Sequence, residues 1–219
     1  MSQWSRHGLP ENISGKTLVD VGCWEGEVCV EAKKRGAAVV LDIDYCTSPD
    51  LIDNIEKYQF DFIQLDLLSE KALELPEFDV VHRAGVLYHV ENPLSFLFRL
   101  RKLCRHGGWL FIETSMYCSS LSEPIMAFHP DNSLDDNPSN WWSPNEECLK
   151  EMLRAVGFSD CEVTHKSTPD STEKPLFGRI AVKVRATSTP HSLSQKLLPR
   201  RPSYMANSKG RGNRRGVER

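Results

Sequence analysis

The stretch Thr17-Leu18-Val19-Asp20-Val21-Gly22-Cys23-Trp24-Glu25-Gly26 constrains the fold more than any other part of the chain. A short apolar run that stops at a glycine reads as a buried strand. Helical spacing follows from Glu25 to Arg35. There Val28, Ala32 and, less clearly, Cys29 share a face, Lys33, Lys34 and Arg35 fill the last turn where cations suit the helix dipole, and Gly36 ends the element. A strand that turns through glycine into a helix lets backbone approach a ligand closely at the positive helix end. The next strand, Ala38 to Ile43, carries Asp42, 20 residues after Gly22. Nucleotide-binding domains put a carboxylate at about that spacing to take both ribose hydroxyls. Asp44 is a rival, because side chains alternate with period two and it shares a side of the strand with Asp42. Taken singly, Gly22 and Gly26 are a tight turn and Asp42 a solvated strand end; their order and spacing together point to a ligand.

The alternation continues with a helix near Pro49 to Tyr58, strands Phe60 to Leu65 and Phe78 to His82, a helix Pro93 to Arg105 closed by Gly107-Gly108, and a strand Trp109 to Thr114. Strands separated by helices imply a parallel sheet wrapped on both faces. Residues 115–144 are rich in Ser, Asn, Asp and Pro yet hold Tyr117, Phe128, His129, Trp141 and Trp142, which marks a lid rather than a linker. A helix Asn145 to Val156 and strands Asp160 to His165 and Phe177 to Arg185, joined by a polar hairpin-like turn, complete the sheet. The expected organisation is an N-terminal extension over 1–14, one domain over 15–185 with a lid-like insertion over 115–144, and a basic, disordered tail over 186–219.

With 219 residues the chain has room for one α/β domain. No apolar run approaches the length of a membrane span or a secretory signal, so the expected compartment is the cytosol. Seven cysteines without a CxxC pair suggest neither a zinc site nor a disulfide framework. The formal net charge of −3 hides an asymmetry: up to residue 190 there are 19 Lys and Arg against 29 Asp and Glu, and beyond it 8 against 1.

Leu18-Val19-Asp20-Val21-Gly22-Cys23-Trp24-Glu25-Gly26 resembles the first motif of class I S-adenosylmethionine-dependent methyltransferases, and the resemblance covers about residues 15–185. Phe78-Asp79-Val80-Val81, Gly85-Val86-Leu87-Tyr88-His89, Gly107-Gly108-Trp109-Leu110-Phe111-Ile112-Glu113-Thr114 and Asn137-Pro138-Ser139-Asn140-Trp141-Trp142-Ser143-Pro144 are similar to the subgroup that modifies wobble uridine in tRNA and to its small-molecule relatives. The resemblance implies a Rossmann-like α/β fold with a seven-stranded, mostly parallel sheet whose last strand is antiparallel, and S-adenosyl-L-methionine as cofactor. It implies that Asp20 and Gly22 border the methionine end, Asp42 the ribose, and Asp66 with Leu67 the adenine edge. Ala84 and Gly85 floor the pocket, and Cys23, Trp24, Gly26, Ile43 and Asp44 complete its wall. Two departures stand out. Trp24 replaces the usual middle glycine, and Asp42 sits one residue early relative to many members, which keeps Asp44 in play.

The activated carbon belongs to the cofactor, so the protein must position the acceptor and, for a hydroxyl or uridine-type acceptor, remove its proton. His89 is the candidate base because imidazole titrates near neutrality, with packing beside Tyr88 as its alternative role. Glu113 is next, either orienting the acceptor or capping a loop. Tyr88, Tyr117, His129 and Trp141 are candidates for an acceptor wall, since aromatic rings stack on planar groups, while Trp141 and Trp142 also suit anchors for the lid. The acidic body favours a small-molecule acceptor. The subgroup resemblance and the basic tail, with Lys196, Arg200 and Arg201 among its cations, favour RNA, against a merely solvated tail. The carboxymethyl-transferring members carry N-terminal structure absent here, so plain methyl transfer is expected. A cofactor-binding protein without turnover, or one that activates a partner enzyme, is the reading of another class. The Gly22–Gly26 loop lacks the spacing of a nicotinamide-binding fingerprint.

Overall fold

The computed structural model describes residues 2–168 and 177–187. The elements in chain order are α1 (Gln3–Arg6), β1 (Thr17–Val21), α2 (Glu27–Lys34), β2 (Val39–Asp44), α3 (Pro49–Tyr58), β3 (Asp61–Gln64), β4 (Phe78–Ala84), α4 (Pro93–Leu103), β5 (Cys104–Tyr117), β6 (Met126–Phe128), β7 (Trp142–Pro144), α5 (Glu146–Ala155), β8 (Phe158–Ser167) and β9 (Phe177–Ala186). Seven strands form one sheet in the order β3-β2-β1-β4-β5-β9-β8. β3, β2, β1, β4 and β5 run parallel, and β9 is antiparallel to both β5 and β8. This is the expected Rossmann-like arrangement. Its order reverses between β1 and β4, and ligands of open α/β sheets bind in the crevice at the carboxyl ends of such strands.

Alternation along the strands builds two cores. Val19, Leu41, Val81 and Leu110 pack with Leu97 and Leu100 of α4 and with Leu149 and Leu153 of α5. Leu18, Val40, Val80 and Phe111 face the other way, with Trp4, Val28 and Leu51. Helices start where the sequence offers caps. Ser48 accepts from the Leu51 amide and Asn92 from that of Ser95, each followed by proline in the first turn, and Asn145 accepts from that of Cys148.

At the junction of α4 and β5 two boundaries differ from the sequence expectation. Helix α4 ends at Leu103 rather than Arg105, and β5 begins at Cys104 instead of Trp109. The reason is a register shift: Cys104 pairs with Phe78 before the regular ladder resumes at Val80–Trp109. A Cβ on Gly108 would lie 3.0 Å from the carbonyl oxygens of Arg105 and Asp79, so the glycine that reads as a helix terminator is what lets the chain pass that irregularity. Within the expected N-terminal extension, Trp4, Leu9 and Ile13 are buried in the second core. The lid-like stretch contains a two-stranded sheet in which β6 pairs with β7. Residues 188–219, nearly all of the expected basic tail, and residues 169–176 of the expected turn lie outside the described residues. Among the described residues no helix is long and apolar enough to cross a membrane.

Candidate active site

A cavity of about 570 Å³ opens at the carboxyl ends of β1, β2 and β4. That size falls in the range of small-molecule sites. Gly22, Trp24, Ile43, Asp44, Asp66, Leu67, Ala84 and Gly85 line it, as do His89 and Ser139. A second, smaller cavity of about 290 Å³ lies on the far side of Ala84 and Gly85, which both cavities share, and is walled by Arg6, His7, Glu113, His165 and Arg179 among others.

The glycine loop is shaped by what lies under it. Gly22 has φ of +74°, and its amide donates to the carbonyl of Ile43 at 2.6 Å. A Cβ there would come within 2.5 Å of the Arg83 guanidinium, so glycine is required on both counts. Arg83 is fully buried. Its Nη1 donates to the carbonyls of Val21, Gly22 (3.0 Å) and Ala84 (2.9 Å), and desolvation lowers its pKa to about 10, leaving it cationic. Trp24, in the place of the usual middle glycine, adopts φ of +57°. Its indole is 75% exposed and forms the rim of the larger cavity without plugging it.

The two acids of β2 separate. Asp44 lines the cavity; one carboxylate oxygen accepts from the amides of Tyr45 (2.7 Å) and Cys46 (3.3 Å). Asp42 does not reach the cavity. It is 0% exposed and accepts from the Cys23 thiol at 2.5 Å, and its other oxygen has no partner among the described residues. Burial, followed by the nearby charge of Asp20, pushes its pKa up to about 8, so it is mostly protonated at neutral pH. The same burial and the carboxylates around it drive the Cys23 thiol upward, making it a structural donor rather than a nucleophile. The period-two argument holds for direction along the strand, but the sheet closes over Asp42 while Asp44 emerges at the strand end.

Other expected positions fall as follows. Asp20 lines neither cavity; it is held by His82, whose Nδ1 lies 2.7 Å from Oδ1. Gly26 starts α2 at φ of +76° and abuts Phe60 and Leu51. One oxygen of Asp66 is engaged by the Leu68 amide at 2.8 Å. His89 lies on the larger cavity with Nδ1 facing the carbonyl and hydroxyl of Ser139, at 2.9 and 3.0 Å, and burial lowers its pKa. Glu113 lines the smaller cavity but is committed: Arg179 donates to both its oxygens, at 2.5 and 2.7 Å, and the Gly85 amide to one, at 3.1 Å. The Arg179 guanidinium also stacks on the Tyr88 ring at 4.8 Å.

Tyr117, His129 and Trp141 line neither cavity. Tyr117 and His129 pack on Phe177, His129 Nε2 meets the Ser143 hydroxyl at 2.8 Å, and the Trp141 amide donates to the Tyr88 carbonyl. The contacts of His129 and Trp141 fasten the lid to the rest of the domain. Sequence reasoning passed over His7, His82, Arg83 and Arg179. Polar residues at positions 82 and 83, inside a strand that otherwise reads as buried, were the available signal; His7 offered none, because α1 is too short to show periodicity.

A crevice at the topological switch point, floored by glycine, with a carboxylate at the end of the second strand and a second cavity across the fourth, defines a Rossmann-like protein of the class I methyltransferase type. The chain belongs to the methyltransferase-domain family, whose model matches residues 4–163. It is 30% identical over 169 residues to a tRNA U34 carboxymethyltransferase of Colwellia psychrerythraea, covering 74% of this chain and 51% of that protein. To the protein of the same description from Pseudoalteromonas translucida it is 31% identical over 175 residues, covering 74% and 52%. The chain thus spans about half the length of these curated relatives. Among solved structures it resembles the Haemonchus contortus phosphoethanolamine N-methyltransferase 2 in complex with S-adenosyl-L-methionine, with a TM-score of 0.63, 14% identity and coverage of 84% and 51%. It also resembles the Burkholderia thailandensis 1,6-didemethyltoxoflavin-N1-methyltransferase bound to S-adenosylhomocysteine, with a TM-score of 0.57, 18% identity and coverage of 80% and 72%. At such identities these likenesses concern the fold.

Proposed function

We propose that the protein transfers a methyl group from S-adenosylmethionine to a uridine-type acceptor in tRNA. The observation that carries methyl transfer is the pair of cavities that meet at Ala84 and Gly85, one ending in the Asp44 carboxylate and the other polar. The larger cavity fits the cofactor in size and in donor chemistry. Asp44 would accept from the ribose hydroxyls, Asp66 and Leu67 would border the adenine, and Gly22, Ala84 and Gly85 would let backbone approach the methionine end. When bound, the cofactor supplies an electrophilic methyl group on a sulfonium. The chain's own part is to align the acceptor across Ala84 and Gly85, exclude water and take up the acceptor's proton.

The RNA acceptor is supported by the tRNA-modifying relatives. A small-molecule acceptor is the second reading, favoured by the modest volume of the smaller cavity. Incubation with methyl-labelled S-adenosylmethionine and, separately, bulk tRNA and a metabolite extract tests both: label in tRNA supports the first, label in metabolites the second, and label in neither overturns methyl transfer. If RNA is the acceptor, removing residues 190–219 with their eight cations should weaken tRNA binding and flatten its salt dependence.

A further inference from the structure

His7 belongs to none of the motifs discussed, yet its ring is fixed with care. Its carbonyl accepts from the Thr164 hydroxyl at 3.0 Å, and at the next position a Cβ on Gly8 would collide with Thr164 at 2.5 Å, so α1 ends tightly against β8. Three buried side chains from three elements then form a line. Asp20 of β1 meets His82 Nδ1 at 2.7 Å, and His82 Nε2 meets His7 Nδ1 at 3.0 Å. The two imidazole planes lie 18° apart, with ring centroids separated by 5.2 Å.

The carboxylate fixes the tautomers along this line. An ionised carboxylate can only accept, so His82 carries a proton on Nδ1, and the neutral ring then has Nε2 bare. That nitrogen accepts from Nδ1–H of His7, and the remaining nitrogen of His7, Nε2, is left with a lone pair. His7 lines the smaller cavity, and its Nε2 makes no hydrogen bond among the described residues. Of the two bases singled out in the sequence, Glu113 is engaged by Arg179 and the Gly85 amide, and His89 faces the larger cavity.

We infer that His7 is the base that takes the acceptor's proton in the smaller cavity, with His82 and Asp20 as the positioning residues that make it one. The inference rests on the methyl-transfer reading. As the acceptor atom bonds to the methyl carbon, the methyl–sulfur bonding pair returns to sulfur and the acceptor's O–H or N–H proton passes to Nε2 of His7. The proton on Nδ1 of His7 moves to Nε2 of His82, so the positive charge comes to rest beside the Asp20 carboxylate. Burial keeps His7 neutral, with a pKa lowered to about 4. The charged and titratable groups around it are Arg6 on α1, Asp20 on β1, His82 on β4, Glu113 on β5, His165 on β8 and Arg179 on β9.

The test compares wild type with H7Q and H7A, using labelled S-adenosylmethionine and whichever pool, bulk tRNA or metabolite extract, the wild type labels. Calorimetry with S-adenosylhomocysteine runs alongside as the control for folding and for the larger cavity. H7Q should bind the homocysteine compound as the wild type does and lose roughly 10²- to 10⁴-fold in kcat. Its rate should climb with pH as hydroxide takes over, where the wild type is flat above about pH 6, and free imidazole should restore part of the rate of H7A. H82F should show the same change of pH profile in weaker form. Nitrogen-15 NMR of His7 needs no acceptor and should find Nε2 unprotonated at pH 7. An H7Q enzyme with the wild-type rate and profile overturns the inference, as does a protonated Nε2, while methyl transfer itself stands. A wild type that labels neither pool overturns methyl transfer, and the base assignment with it.

Discussion

Two acids two residues apart on the same strand have opposite fates, and the difference is measurable. Asp42 is buried with a pKa near 8, against 3.8 for the ordinary carboxyl. A raised carboxyl pKa stabilises the fold below the unfolded value, and that contribution is lost as pH climbs through the folded one. His7, depressed to about 4, has the opposite sign: its contribution is present above 6.5 and fades as pH falls towards 4. The two oppose each other between pH 4 and 6.5, leaving 6.5 to 8 as the window for Asp42. Thermal melts of the wild type should decline across that window, at up to about 1.4 kcal/mol per unit, and D42N should flatten the decline. Binding should divide the pair the other way, with D44N losing most affinity for S-adenosylhomocysteine by calorimetry and D42N keeping it. Loss in D42N with D44N unaffected would return the ribose to Asp42. The sequence narrowed the choice to these two residues and could go no further, because burial at a strand end depends on how far the loop above it reaches. Trp24 shows the same limit. Its left-handed backbone costs about 1 to 2 kcal/mol, so W24G should raise the melting temperature while weakening cofactor binding through loss of the indole rim.

At the level of elements, one hydroxyl ties the lid to β5. Ser143 of β7 meets the Ser115 hydroxyl of β5 at 2.7 Å and His129 Nε2 at 2.8 Å, all three buried. Removing it strands two buried polar partners, which costs about 1–3 kcal/mol. S143A should therefore speed hydrogen exchange in β6 and β7 well before it affects the parallel strands; uniform loss of protection would show the lid to be no separate unit. The aromatic content of residues 115–144 announced a folded segment, but not which face the rings would choose. Elements with caps were easier to read. Pro93 behind Asn92 and Glu146 behind Asn145 mark helix starts through local chemistry, whereas the start of β5 depends on a partner strand more than twenty residues earlier, which no local pattern around Gly107 and Gly108 encodes.

For the molecule as a whole, strand and helix alternation made the sheet legible, since each apolar run can be buried in few ways. The His82–Asp20–His7 line was not legible, because three residues from distant parts of the chain meet only once the sheet and α1 are in place. Binding should report on the whole fold as well: S-adenosylhomocysteine at a hundred times its dissociation constant should add about 2.7 kcal/mol to stability, and D44N should abolish the shift in melting temperature. Lastly, β9 is threaded between β5 and β8 although it follows both in the chain, and it carries Arg179 to Glu113. A growing polypeptide can therefore assemble the parallel half of its sheet early, but the smaller cavity, which we propose for the acceptor, stays unwalled until this strand has been made. On that proposal, competence for chemistry arrives late in synthesis, after the larger cavity already exists.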